Sequence, residues 1–187
     1  WKSDFAGMLQ RFDSNGDGHG DLKGMEQKLD YLQDLGVTSI LMTPLYYSGF
    51  YHNYFAIDFE KIDPEYGTMT EYLSLVKEIH KRNMKIYQDV EMQYVTQDHA
   101  WYKDSFNNPK SKYSKYVYYL DSLNQKPFFF YNVPEFTLYD GSKHKIAVVN
   151  MNNPDARQYT FDDLNFWLEP NKDGKFDDGV DGFRFDH

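Results

Sequence analysis

Apolar and polar residues alternate with two different periods along this chain, and the changes of period predict its elements. Leu and Met side chains recur at helical spacing over 25–35, and Gly36 is a natural helix stop. An apolar run with β-branched residues covers 37–45, which predicts a strand buried on both faces, as in parallel sheets. Residues 8–12 have only a weak strand pattern.

The alternation continues towards the end of the chain. A Thr-x-x-Glu capping box opens a predicted helix over 68–83, and a second buried strand follows over 84–92. An Asn-Pro pair opens a third helix over 153–168, and strand periodicity returns over 180–186. Repeated strand–helix–strand order implies parallel strands with right-handed crossovers, so the sequence predicts an α/β fold.

Regular periodicity is lost over residues 93–152, which are rich in Tyr, Asn and Lys and contain three prolines. This segment is too long for a bare loop in a compact domain. We therefore predict a small inserted subdomain over 93–152. The predicted organisation is a first α/β part over 1–92, the insert, and a return to the α/β part over 153–187.

Charge and composition narrow the classes of partner. The 187 residues contain 29 Asp and Glu against 20 Lys and Arg, for a net charge of −9. This balance argues against nucleic acid or an anionic membrane surface as the main partner and fits a neutral ligand or bound cations. No apolar run approaches the ~20 residues needed to span a bilayer. The 17 Tyr, 15 Phe and 3 Trp can stack on sugars, and they can equally fill a core.

Oxygen-bearing side chains alternate with glycines between residues 13 and 21. Ca²⁺ takes several oxygen ligands at once, and this spacing lets one short loop wrap an ion. A glycine stands where an EF-hand has its bidentate Glu, so the loop falls outside that class. The alternative is an ordinary Asn/Gly-rich surface turn. The predicted calcium ligands are the side chains of Asp13, Asn15, Asp17 and Asp21, with the backbone carbonyl of His19.

The last strand carries a candidate nucleophile. Arg184 and Asp186 lie two apart, so both side chains point to the same side of a strand. A neighbouring guanidinium favours the ionised carboxylate, which is the state that a nucleophile needs. A purely structural Arg–Asp pair at a strand end is the alternative.

Three motifs occur in a fixed order: the acidic loop, the segment Tyr-His-Asn-Tyr-Phe-Ala-Ile-Asp over 51–58, and Gly-Phe-Arg-Phe-Asp over 182–186. Together with Asp89 at a predicted strand end, they resemble the α-amylase family of glycoside hydrolases (glycoside hydrolase family 13). The family fold is a (β/α)₈ TIM barrel with an extra subdomain after the third strand. The resemblance therefore implies the N-terminal part of such a barrel, with 93–152 as the inserted subdomain.

The resemblance also implies roles for individual residues. Asp186 is similar to the catalytic nucleophile, and Arg184 would hold it ionised and oriented. Asp89 would support that arginine and the floor of the substrate site. His52 would bond sugar hydroxyls, and Tyr54 would stack on the sugar ring at the cleavage subsite.

Two parts of the family pattern are changed. The family usually ends its third strand with Asn-His, whereas Gln93 and Tyr94 stand there. Tyr94 can still donate a hydrogen bond and stack on a sugar, so we retain it as a substrate-binding candidate. The second motif usually has Gly between its His and Tyr, and Asn53 stands in that place.

The activity implied by the resemblance is a retaining double displacement on α-glucosidic bonds of starch-type glucans, maltooligosaccharides or cyclodextrins, with a structural Ca²⁺. A periplasmic or secreted location would be usual for the family. The alternative is a non-catalytic, calcium-stabilised, amylase-like protein that binds carbohydrate or has a structural role.

The chain stops one residue after Asp186, before the strands that carry the family's general-acid Glu. A (β/α)₈ barrel typically needs ~250 residues. We therefore predict a fragment, truncated at the fourth strand, that needs the C-terminal half of the barrel. A nucleophile without an acid leaves the leaving group unprotonated, so we predict that the 187 residues alone are inactive.

Overall fold

The computed structural model of the protein describes residues 12–138 and 141–186. The weak strand pattern over 8–12 therefore falls almost wholly outside the described residues. The chain divides into two compact units. The first contains the described residues up to Leu45, Glu60–Asp89 and Asn165–Arg184. The second contains Tyr46–Phe59, Val90–Leu164 and the described residues from Phe185 onward.

The elements are numbered in chain order. The helices are α1 (Leu22–Glu26), α2 (Leu29–Asp34), α3 (Met69–Lys81), α4 (Ala100–Ser105) and α5 (Pro154–Leu168), with a 3₁₀ turn at Phe130–Asn132. The strands are β1 (Ser39–Met42), β2 (Tyr46–Ser48), β3 (Ala56–Ile62), β4 (Lys85–Val90), β5 (Tyr94–Thr96), β6 (Phe136–Thr137), β7 (Lys143–His144), β8 (Ile146–Val148) and β9 (Gly182–Phe185). None of the helices among the described residues has the length and apolar character of a membrane span.

The first unit is built on a three-stranded sheet with the order β1-β4-β9. β1 and β4 pair in parallel from Ser39↔Lys85 to Met42↔Gln88, which agrees with the predicted parallel arrangement. Alternate side chains of a strand face opposite sides. In β1, Ile40 is buried and Leu41 is 58% exposed. The prediction that this strand is buried on both faces is therefore wrong, because only the Ile40 side is packed in the described chain.

Helix α3 confirms the predicted capping box. The Thr68 side chain accepts from the Glu71 backbone N–H, and the Glu71 carboxylate accepts from the Thr68 backbone N–H. Asn83 takes a left-handed φ of 56° just after the helix, where the sequence predicts its end. The Tyr72 ring meets the fully buried Trp167 ring edge-on, with the centroids 5.4 Å apart. The buried face of the helix consists of Tyr72, Leu75, Val76 and Ile79.

The single helix predicted over 25–35 is in fact two helices. α1 begins earlier, because the Asp21 carboxylate caps it by accepting from the Gly24 N–H at 2.6 Å. Lys28, with φ −106° and ψ 5°, lies outside helical geometry and separates the two segments. Gly36 adopts φ +82° after α2, as expected for a glycine that ends a helix.

The second unit contains strands that periodicity does not predict. Its four-stranded sheet has the order β2-β3-β5-β8, with β3 parallel and β8 antiparallel to β5. β2, β5 and β8 are three residues long, which is too short to give a clear alternation. The predicted insert over 93–152 lies within this unit, which also includes 46–59. The predicted domain boundaries stay a prediction.

His99 anchors the helix α4 inside the second unit. Its Nδ1 accepts from the Trp101 backbone N–H at 3.1 Å, and its ring packs against Trp101 and Phe59. The residue is buried, and burial lowers the pKa of His99 to about 3. A neutral imidazole is therefore part of the folded structure, because protonation at Nδ1 would remove the cap.

Candidate active site

A cleft of about 340 Å³ lies in the second unit. It combines two carboxylates, one imidazole and several aromatic rings, although its residues come from four separate stretches of the chain. Its lining consists of Tyr51, His52, Tyr54, Phe55, Glu91, Tyr94, Phe130 and Asp186. The structure thus brings together four of the residues that the resemblance implies for the active site: His52, Tyr54, Tyr94 and Asp186.

His52 is held in a defined protonation state. Its Nδ1 accepts from the Tyr54 backbone N–H at 3.0 Å, so the remaining ring proton is assigned to Nε2. Burial lowers the pKa of His52, which keeps the ring neutral at neutral pH. The side chain can therefore donate one hydrogen bond through Nε2 to a hydroxyl in the cleft.

Asn53 shows why the family pattern has a glycine at this place. Its φ is +59°, in the left-handed region that glycine enters freely and Asn tolerates. Its buried side-chain amide donates to the Tyr46 carbonyl at 2.9 Å. The turn that presents His52 and Tyr54 is therefore tied to β2 by a bond that a glycine could not make.

An aromatic cluster forms one wall of the cleft. The Tyr94 and Phe130 ring centroids are 4.6 Å apart, and Phe55 lies 5.2 Å from Phe130 and 6.0 Å from Tyr94. Burial raises the pKa of Tyr94, and the nearby Glu91 and Tyr131 add to the rise. The phenol therefore stays protonated at neutral pH and can donate a hydrogen bond.

Glu91 is the cleft carboxylate that the sequence analysis missed. It is 4% exposed, and its Oε1 accepts from the Gln93 backbone N–H at 2.7 Å. Glu91 lies two residues after Asp89, at the end of a predicted strand, and this position could have indicated a site residue. Phe130 was also missed, but it lies in the irregular segment and gave no comparable signal.

Asp186 is placed by the backbone that follows β9. Its N–H donates to the Val90 carbonyl at 3.0 Å, which fixes the position from which its carboxylate lines the cleft. A carboxylate beside aromatic rings and neutral donors can attack an electrophilic carbon or bond a sugar hydroxyl.

Arg184 and Asp89 form an ion pair within the first unit. The guanidinium donates from one nitrogen to both carboxylate oxygens of Asp89, at 2.9 Å and 3.1 Å. The Asp89 side chain is 9% exposed, whereas that of Arg184 is 49% exposed. Asp89 therefore orients Arg184, and the role of Arg184 at Asp186 stays a prediction.

The acidic loop uses its carboxylates on its own backbone. Asp13 accepts N–H bonds from Gly16 and Gly18 at 2.6 Å and 2.8 Å, and Asp17 accepts from His19 at 2.8 Å. The Gly18 bond is the largest cause of the lowered pKa of Asp13.

The predicted calcium site of this loop combines side chains with one backbone carbonyl. Over 12–138 and 141–186 no three His, Cys, Asp or Glu side chains form a group that could hold a metal. The predicted set also uses the Asn15 side chain and the His19 backbone carbonyl, to which this observation does not apply. Calcium binding stays a prediction.

A family model for the alpha-amylase catalytic domain matches residues 9–187. The chain belongs to the alpha-amylase family. It is 32% identical over 177 residues to alpha-amylase 3 of Dictyoglomus thermophilum, and the alignment covers 93% of this chain and 34% of that protein. It is 35% identical over 188 residues to an oligo-1,6-glucosidase of Bacillus cereus, covering 93% of this chain and 32% of that protein.

The fold of the chain is also similar to solved members of the alpha-amylase family. The structure of isomaltulose synthase from Klebsiella sp. LX3 matches with a TM-score of 0.74 and 31% identity, over 93% of this chain and 32% of that one. Such neighbours are TIM barrels of the family, and the described chain is a partial α/β structure. The chain spans about a third of the length of the relatives it matches.

Proposed function

We propose that the protein carrying this chain is a retaining glycoside hydrolase that cleaves α-glucosidic bonds. The observation that supports this best is the cleft, in which Asp186, His52, Tyr54 and Tyr94 lie together. Membership of the alpha-amylase family adds the reaction class, since relatives include an alpha-amylase and oligo-1,6-glucosidases by name.

Each cleft residue has a chemical role in this proposal. The Asp186 carboxylate attacks the anomeric carbon, the glycosidic oxygen leaves with a proton from a carboxylic acid, and water then hydrolyses the covalent glycosyl-enzyme. His52 donates to a sugar hydroxyl through Nε2, and Tyr54 stacks on the ring of the sugar. Tyr94 contributes a protonated phenol, which can donate to a hydroxyl but cannot carry the charge of an imidazolium.

The dimensions and lining of the cleft fit short stretches of glucan. A volume of about 340 Å³ lies at the small end of ligand sites, which suits one glucosyl unit with its neighbour at the opening. The lining offers neutral donors and aromatic faces, and sugars present hydroxyls and C–H faces. We therefore propose starch-type glucans, maltooligosaccharides or cyclodextrins as substrates.

The proposal assigns two functions outside this cleft. The carboxylic acid that protonates the leaving group is supplied by a part of the protein beyond these 187 residues, so the isolated chain should be inactive. A structural Ca²⁺ is proposed for the loop over 13–21, on the strength of its oxygen-bearing side chains. Arg184 is proposed to keep Asp186 charged, since it lies two residues away and Asp89 orients it.

The decisive experiment compares the full-length protein with its Asp186→Asn variant on maltooligosaccharides, isomaltooligosaccharides and cyclodextrins. We expect the variant to lose activity by a factor on the order of 10⁴ or more, because an amide cannot act as the nucleophile. The panel would identify the bond cleaved. Sugar binding by both proteins with turnover by neither would favour the non-catalytic, amylase-like alternative. Turnover by the isolated 187-residue chain would contradict the proposed inactivity.

A further inference from the structure

We propose that Glu91 is a substrate-binding residue of the cleft, whose carboxylate accepts hydrogen bonds from hydroxyls of the bound glucosyl unit. This inference rests on the proposed function and names the recognition chemistry of the same site. It concerns a residue to which the family resemblance assigned no role.

The backbone of Glu91 is fixed by a buried tyrosine. The Tyr46 hydroxyl donates to the Glu91 carbonyl and accepts from the Glu91 N–H, both at 3.0 Å. Tyr46 is fully buried, and its own carbonyl accepts the Asn53 amide at 2.9 Å. One chain of hydrogen bonds therefore links the turn that carries His52 to the backbone that carries Glu91.

The side chain of Glu91 is held in place by a hydrogen bond from the backbone. Its Oε1 accepts the Gln93 N–H at 2.7 Å, and the residue is 4% exposed while lining the cleft. A carboxylate has two oxygens with about four acceptor positions, so it can keep this bond and bind hydroxyls as well.

The cleft then presents a complete set of groups for a neutral polyol. His52 and Tyr94 donate, whereas Glu91 and Asp186 accept, and sugar hydroxyls can do both. Two carboxylates in one cleft also favour a neutral or cationic ligand over an anionic one. Glu91 would therefore set the preference for uncharged glucosyl substrates.

The variant Glu91→Gln removes the negative charge of the side chain and keeps its size and shape. The amide oxygen of Gln can still accept the Gln93 N–H, so a purely structural role would survive the change. We expect the full-length variant to show a KM for maltooligosaccharides raised about tenfold, with kcat within about twofold of wild type, because hydrogen bonds to a charged group are the stronger ones. Glu65→Gln, the same change at an exposed position, is the control and should leave both constants unchanged.

An unchanged KM would overturn the inference. If kcat were lower as well, the result would indicate a role of Glu91 in the chemical step instead. If Glu91→Gln does not fold, the crystal structure of the Asp186→Asn protein with a maltooligosaccharide decides. A Glu91 oxygen within about 3.2 Å of a sugar hydroxyl supports the inference, and the lack of any such contact overturns it.

Binding measurements separate this inference from the proposed function. In the Asp186→Asn background, calorimetry should show about tenfold weaker maltooligosaccharide binding when Glu91→Gln is added. Turnover that survives Asp186→Asn would refute the proposed hydrolysis whatever Glu91 does. Turnover that is lost in Asp186→Asn, with sugar binding unaffected by Glu91→Gln, would refute only the role of Glu91.

Discussion

The acidic loop over 13–21 and the cleft of the second unit are both predicted as ligand sites, and both contain carboxylates. In the loop, Asp13 bonds to N–H groups only two to five residues away, in exposed surroundings. In the cleft, Glu91 and Asp186 come from distant parts of the chain and line the same space of about 340 Å³.

The two regions differ in what their hydrogen bonds accomplish. In the loop, the carboxylate oxygens already accept hydrogen bonds from the backbone. An ion would therefore have to coordinate oxygens that are engaged in these bonds. In the cleft, one backbone N–H donates to Nδ1 of His52 and another donates to Oε1 of Glu91. Nε2 of His52 is left to donate to a ligand, as is appropriate for a preorganised site.

Lowering the pH should have the largest effect, and it acts on the second unit, which contains the cleft, through His99 rather than through the loop. Burial lowers the pKa of His99 to about 3 in the folded protein, below the ordinary value of 6.5. Between these two pH values, the imidazole is protonated in the unfolded chain and neutral in the folded one. Stability contributed by neutral His99 is therefore lost as the pH falls below 6.5. Between pH 6.5 and pH 4 we expect a loss on the order of 3 kcal/mol in the free energy of unfolding.

Denaturant unfolding of the full-length protein and its His99→Asn variant at several pH values tests this. Asn can still cap α4 but does not titrate, so the variant should lack that part of the pH dependence. Asp13→Asn is the matched change in the loop. Because the pKa of Asp13 is lowered from 3.8, its stability contribution is complete above about pH 5, so the variant should leave the slope between pH 5 and pH 6.5 unaltered. Equal slopes in wild type and His99→Asn would contradict the prediction.

Calcium removal should have the next largest effect, and it acts on the loop. If the loop binds Ca²⁺ as proposed, a free concentration 100 times Kd stabilises the folded protein by about 2.7 kcal/mol. A chelator should then lower the Tm of wild type but not that of Asp13→Asn, as measured by calorimetry. An identical wild-type Tm with and without chelator would mean that the loop is held by its own hydrogen bonds alone.

Removing one hydroxyl should have the smallest of the three effects, and it acts on the cleft. Tyr46→Phe leaves the N–H and the carbonyl of Glu91 without this buried partner, which should cost about 2 kcal/mol of stability. Tyr31→Phe, at a 53% exposed position, should change stability by less than about 0.5 kcal/mol. Urea unfolding measures both. Equal effects of the two substitutions would show that the Tyr46 hydroxyl does not support the cleft.

The sequence predicts best those elements whose signals are local. The capping box of α3 and the Asn-Pro start of α5 are decided by groups within four residues of each other, and both helices form as predicted. The acidic loop is likewise visible as one stretch. The hydrogen bonds within the loop cannot be predicted in the same way, because the same carboxylates can accept from backbone N–H groups or coordinate an ion.

The parts that sequence analysis missed depend on contacts between distant residues. β5 pairs with β8, about fifty positions later, and such short strands form only because the partner is present. Phe130 joins the cleft through an irregular segment with no period of its own. The motif over 51–58 gave His52 and Tyr54, but nothing in it indicated that Asn53 would bond to Tyr46.

The paired bonds between the Tyr46 hydroxyl and the Glu91 backbone have a consequence for how such a site can change. These bonds hold the main chain at position 91 and involve no atom of its side chain. A substitution there can alter the ligand chemistry of the cleft while the path of the backbone stays the same. Natural variation or a directed library at position 91 could therefore change the sugar preference of the cleft without changing the fold.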